Sequence, residues 1–138
     1  MAIKTIYIFG NPLLPFDNSA LKLIPKLKET FPQIKFMAFD PNENLKPINK
    51  ELYIIDVAEG IKKLEVITDL NKIKTEKICS LHDFDLAFNL KLLEKIGKLE
   101  KIIIWAIPMD TTNQRKIFID LANSIKSFID NKEDIYFG

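Results

Sequence analysis

The chain predicts an α/β fold, a three-layer sandwich around a central twisted, mixed but mostly parallel five-stranded sheet. Three observations carry that expectation. Short apolar runs alternate with stretches of helical periodicity, the pattern of βαβ units. No internal repeat or linker interrupts that alternation. Helical segments lie between several of the apolar runs, which is what a parallel crossover requires.

Each element follows from its own residues. Strands are expected at Ile3–Phe9, Ile34–Phe39, Tyr53–Val57 and Lys101–Ile107, with a shorter one at Leu64–Thr68. Helices fit Ser19–Thr30, His82–Ile96 and Thr112–Ile129. The first helix sets Leu21, Ile24, Leu27 and Phe31 on one face, and its internal Pro25 predicts a kink. The last sets Ile117, Leu121, Ile125 and Phe128 on a core-facing stripe. Asp40–Asn49, with Pro41 and Pro47, reads as a surface loop. The link from Val57 to Leu64–Thr68 is too short for a crossover helix, so that strand should run antiparallel and the sheet should be mixed. The tail Asn131–Gly138 carries no deciding pattern.

Composition narrows the function classes. The 138 residues fit a single domain, 1–138, with no repeat, Gly/Ser linker or low-complexity tract. Apolar residues make up 47% of the chain, which excludes disorder, yet no run reaches the length of a membrane span. With 20 basic residues against 19 acidic ones there is no basic field for nucleic acid. Arg115 is the sole arginine, and the lysines read as a solvated surface. Met1–Phe9 reads as a strand rather than a secretory signal, and one cysteine, Cys79, fits a reducing compartment, so a cytoplasmic location is expected.

The chemistry-bearing residues stand where apolar runs stop. Asp17 follows the first strand and its turn Gly10-Asn11-Pro12, Asp56 ends the run Leu52–Ile55, and His82 opens a helix after Ile78-Cys79. In an open α/β sheet the carboxyl ends of parallel strands share one edge, where ligands bind. Two carboxylates and the chain's single histidine on that edge would form an O,O,N site for a borderline transition metal. Each residue also has a plain structural alternative. Asp17 suits a helix N-cap, and Asp56 could fix the turn after its strand. His82 lies just inside a helix start, with Ser80 and Asp83 forming a variant capping box. There the helix dipole disfavours imidazolium and leaves the neutral, metal-ligating form.

Other arrangements are weaker. Cys79 and His82 could pair as thiol and base, but Cys79 sits in an apolar stretch of the kind that holds structural cysteines. The pairs Asp83/Asp85 and Asp69/Glu76 read as solvated surface. Trp105 and Met109 could line a pocket or fill the core. No nucleophile elbow, phosphate-binding loop, dinucleotide fingerprint, zinc-protease helix or paired C-x-x-C motif is present.

In chain order these residues resemble the hydrogenase maturation proteases, the peptidases that trim the nickel-bearing large subunit of nickel–iron hydrogenases. Ile6-Tyr7-Ile8-Phe9-Gly10-Asn11-Pro12 is similar to the family's opening strand and Gly-Asn turn. Asp17 falls at its first acidic metal-contacting position, and Ile54-Ile55-Asp56 with Gly60 at its second. Ser80-Leu81-His82 matches its Ser-x-His, and Lys101–Ile104 with Ile107-Pro108 its last strand and following proline. The resemblance spans about Ile6 to Ile129.

It implies a phosphorylase/hydrolase-like fold and an endopeptidase acting on one bond near the C-terminus of a hydrogenase large-subunit precursor. Asp17 and Asp56 would be catalytic, and Asp17, Asp56 and His82 would contact nickel carried by that substrate. The protein would need no cofactor of its own, zinc or cadmium could stand in for nickel in crystals, and a monomer is expected. Which group activates water stays open. The chain departs from the family at Asn18-Ser19-Ala20-Leu21, where an Asp-Gly-x-Gly stretch is usual. It departs again around Ile61-Lys62-Lys63, which lacks a common Pro-Gly, and at Trp105, where a small residue is usual. A non-proteolytic accessory protein holding metal with the same three residues is the first alternative. The second is a flavodoxin-like signalling module with Asp56 as phosphoryl acceptor, although its acidic pair and closing lysine are missing.

Overall fold

In a computed structural model of the chain, the described residues are 3–9, 23–39, 46–59, 61–69, 79–80, 90–108 and 114–137. Six strands and three helical segments are present among them. The strands are β1 (Thr5–Phe9), β2 (Lys35–Phe39), β3 (Glu51–Glu59), β4 (Glu65–Ile67), β5 (Cys79–Ser80) and β6 (Lys101–Pro108). The helices are α1 (Ile24–Thr30), α2 (residues 90–95) and α3 (Gln114–Phe137).

One mixed sheet runs β2-β1-β3-β6-β4. The first four strands are parallel neighbours, and β4 runs antiparallel to β6. The expected five-stranded, mostly parallel sheet is therefore present, with the antiparallel strand at its edge. β5 adds a sixth strand that the sequence pattern had not suggested: two residues paired antiparallel to β3. Seven residues of β6 and seven of β3 are buried, as the central strands of a sheet covered on both faces must be.

Side-chain alternation splits the core into two layers. On one face Ile6, Ile8, Tyr53, Ile55, Val57, Ile103, Trp105 and Ile107 pack with Leu27 of α1 and with Leu121 and Ile125 of α3. On the other face Phe9, Leu52, Ile54, Ala58, Ile67, Ile102, Ile104 and Ala106 pack with Leu90 and Leu93 of α2. Helices thus cover both faces and complete the three-layer sandwich.

Two helix expectations are corrected. Pro25 makes no kink, because α1 starts at Ile24 and Pro25 occupies its first turn, where a missing N–H costs nothing. The last helix does not stop at Ile129 but continues to Phe137, taking in most of the undecided tail. Its predicted stripe is correct: Leu121 and Ile125 are fully buried, with Ile117 and Phe128 packed beside them. Lys26 of α1 lies 5.7 Å over the Phe118 ring of α3, so the two helices meet on the same face. β3 also extends beyond the expected Tyr53–Val57 at both ends.

At the amino end of β3, Ile48 and Glu51 exchange two backbone hydrogen bonds of 3.1 Å around Asn49 and Lys50. Both central residues are left-handed, at φ 54° and 64°, the geometry of a type I′ turn. The expected surface loop therefore ends in a tight turn. No helix among the described residues is long and apolar enough to cross a membrane.

The phase of α3 yields a paired test. Leu121, fully buried, should lose about 2–5 kcal/mol of stability on substitution by Ala. Ile119, 49% exposed on the same helix, should lose no more than about 0.5 kcal/mol. Urea unfolding of the two variants compares them directly, and equal losses would contradict the packing.

Candidate functional site

Between its terminal glutamates, β3 is buried from Leu52 to Ala58, and Asp56 is the charged residue of that stretch. Asp56 is 1% exposed and is the buried charged residue among the described residues. A carboxylate taken from water into such a layer needs hydrogen bonds, charge partners or a metal to offset the cost. One hydrogen bond is local: the Val57 backbone N–H donates to Asp56 Oδ1 at 2.8 Å.

The sheet register fixes what surrounds it. Asp56 pairs with Ala106 of β6 in the parallel ladder. On the other edge Tyr7 pairs with Ile54 and Ile8 with Ile55, so the same register sets Phe9 beside Asp56. Leu52, Ile54 and Ala58 belong to the α2 layer, and strand alternation puts Asp56 on that face too. The small side chain of Ala106 leaves room on one side of the carboxylate.

β5 closes the upper part of this edge. β6 follows β3 along one side as far as Ala58–Pro108, so the pairs Ala58–Ser80 and Glu59–Cys79 lie on the opposite side. That is the side β1 occupies lower down, and β5 continues the line of β1 beyond Phe9. Ser80 stands opposite Ala58, two residues from Asp56, which sets the two Cα atoms about 8 Å apart from strand spacing and rise.

The three residues singled out in the sequence fare differently. Asp56 is described and buried at the carboxyl half of the central strand. Asp17 and His82 lie outside the described residues, as do Met109, Glu76, Asp83 and Asp85. Their nearest described neighbours are Phe9 and Leu23 for Asp17, and Ser80 and Leu90 for His82. Among the described residues no three His, Cys, Asp or Glu side chains cluster closely enough to hold a metal.

Trp105 is core, not pocket lining. It is fully buried, and its indole N–H donates to Ser124 Oγ of α3 at 2.9 Å. Its ring stacks on Tyr53 at 6.5 Å and meets Phe128 edge-on at 5.9 Å. It lies on the face opposite Asp56, so its bulk does not intrude on the carboxylate.

The register adds Glu65 to the candidate residues. This residue pairs with Ala106 on the far side of β6, in the same row of the sheet as Asp56. Ile67, two residues on, packs in the α2 layer, so the half-buried Glu65 shares the Asp56 face, about 10 Å away across two strand spacings. The signal was available: strands are depleted in charged residues, and Glu65 interrupts an apolar run.

Comparisons with known proteins bear on the fold. No family model matches the chain, and no curated protein does. A solved structure described as the crystal structure of the Hydrogenase 3 maturation protease superposes with a TM-score of 0.50 at 17% identity. The match covers 78% of this chain and 74% of that one. The family resemblance read from the sequence thus meets a resemblance in fold, with the same mixed, mostly parallel sheet.

The buried carboxylate predicts a graded response. Asp56→Asn keeps an oxygen acceptor for the Val57 N–H and should cost at most about 1 kcal/mol. Asp56→Ala removes that acceptor inside the sheet and should cost about 1–3 kcal/mol more. Urea denaturation of both variants tests this, and an Ala variant as stable as the wild type would show that the bond is not needed.

Proposed function

We propose that the protein is an endopeptidase that recognises nickel in a hydrogenase large-subunit precursor and removes a C-terminal extension. The observation that carries this reading is Asp56, a buried carboxylate in the central strand of a sheet with the fold of a hydrogenase maturation protease. In support, β5 delivers Ser80 beside Ala58, and His82 follows Ser80 by two residues. Phe9, next to Asp56 in the register, precedes Asp17 by eight residues in the sequence. The described strand residues nearest in sequence to Asp17 and His82, Phe9 and Ser80, thus lie on the same side of β3 as one another.

Asp17 and Asp56 supply carboxylates, and His82 supplies a neutral imidazole, to the nickel of the bound precursor. Two acids and one histidine leave coordination positions open, so the substrate's own ligands keep the ion while the protein reads its presence. Cleavage adds water across one peptide bond: oxygen joins the carbonyl carbon, the C–N bond breaks, and the amine leaves protonated. Metal-dependent recognition would restrict cutting to precursors that are already loaded. A donor set of two carboxylates and one imidazole holds first-row ions less tightly than a thiolate cage, so the purified protein should be largely metal-free.

Incubation with precursor made with and without nickel, followed by mass measurement of the C-terminal peptide, tests the reading. Cleavage of the loaded form alone is expected. Asp56→Asn or His82→Ala should lower the rate by at least about 10²-fold while the fold is kept. Equal cleavage of both forms would overturn substrate-metal recognition. Cleavage of neither, with metal still bound, would favour the non-proteolytic accessory protein, a role that the glycine-poor stretch Asn18-Ser19-Ala20 would suit.

A further inference from the structure

The amino end of the sheet holds a second concave site, about 17 Å along β3 from Asp56. A cavity of about 540 Å³ lies between the 46–50 turn and the end of α2, lined by Lys46, Pro47, Asn49, Lys50, Leu93, Gly97 and Lys98. Its size falls in the range of small-molecule pockets. Three of its lining residues are lysines, and none is acidic.

Both walls are built by turns of defined geometry. On one side Asn49 and Lys50 are left-handed, at φ 54° and 64°. That conformation is ordinary for Asn but uncommon for Lys, whose Cβ crowds the following carbonyl. The Lys50 carbonyl is tied down by the Glu100 and Lys101 N–H groups at 2.8 and 3.1 Å. On the other side α2 ends in a Schellman motif. Gly97 N–H donates to Glu94 O at 3.1 Å, and Lys98 N–H to Leu93 O at 2.9 Å. Gly97 takes φ 78°, and a Cβ there would meet nothing within 4 Å. The left-handed backbone at Lys50 and at Gly97 thus positions two of the three lysines.

Among the described residues, the one ion pair to these cations is weak. The Lys50 ammonium lies 3.5 Å from Glu100 in an exposed pair, which screening makes weak. Lys46 and Lys98 make no ion pair among the described residues. The carboxyl end of the α2 dipole amounts to about half a negative charge, which balances at most one of them. Pro47 and Leu93 give the same cavity an apolar wall.

We propose that this cavity binds a small organic polyanion, a phosphate ester or a polycarboxylate whose carbon skeleton rests on Pro47 and Leu93. The ammonium groups of Lys46, Lys50 and Lys98 hold its charges. The site is separate from the Asp56 edge and stands whether or not the peptidase reading holds.

Titration of the isotope-labelled full chain, followed by backbone amide NMR at about 0.15 M salt, tests it. Pyrophosphate, ATP and citrate serve as separate probes, which distinguishes phosphate from carboxylate ligands. At least one should saturate with a Kd of about 1 mM or tighter, with shifts centred on Lys46, Asn49, Lys50, Gly97 and Lys98. The triple variant Lys46→Gln, Lys50→Gln, Lys98→Gln should weaken that probe about tenfold or more. Lys50→Gly, which keeps the left-handed turn and removes one charge, should weaken it less. No saturation by about 10 mM for any probe would overturn the proposal. So would shifts spread over lysines elsewhere, or an unchanged Kd in the triple variant. Saturation by a decaglutamate peptide but by none of the small anions would replace it with a docking surface for an acidic protein.

Discussion

A carboxylate in the middle of a doubly buried strand constrains everything built around it. β3 is flanked by β1 and β6, with helices over both faces, so Asp56 is withdrawn from solvent on every side. Apolar burial on this scale stabilises the sheet, while an unpartnered charge there would cost several kcal/mol. The sheet accommodates it by local means. The Val57 N–H turns to the carboxylate, Ala106 leaves space beside it, and β1 ends at Phe9, level with it. Any hydrophobic residue of similar size would pack there with less difficulty. The presence of an acid at such a position is the physical reason to look for chemistry on this edge.

Much of this arrangement was legible in the chain. Short apolar runs located all four parallel strands, and the short link after Val57 identified the antiparallel strand. Asp56 stood out because an acid rarely ends an isoleucine-rich run, and the structure buries it as that position implies. Other features depend on tertiary context that local pattern does not contain. β5 is two residues long, too short for any periodicity, and exists only because β3 offers an unpaired edge beyond Phe9. Pro25 reads as a kink or as a first-turn residue according to where the helix starts, and no cap in the sequence marked that start. Glu65 gains interest only through the register that aligns it with Asp56 across Ala106.

The two ends of the sheet divide the molecule's chemistry by charge. The carboxyl half of β3 carries Asp56, with Glu65 in its row, and it suits cations and positive centres. The amino end carries Lys46, Lys50 and Lys98 around a cavity, and it suits anions. The chain's net charge of +1 hides this separation completely. Left-handed residues cluster at the second end, where Asn49, Lys50 and Gly97 shape both walls. Irregular backbone there sets side chains at angles that a strand or helix would not permit.

The position of β6 in the chain has a consequence for biosynthesis. β3 is complete by Glu59, yet its longest partner begins only at Lys101. A nascent chain emerging from the ribosome can close the β1–α1–β2 crossover early, from contacts near in sequence. The second edge of β3, mostly apolar on both faces, must then wait unpaired while some forty further residues are made. Long-range parallel pairing is slow, and a waiting edge of this kind invites association with other chains. Factors that hold nascent polypeptides would therefore be needed most between the synthesis of β3 and that of β6.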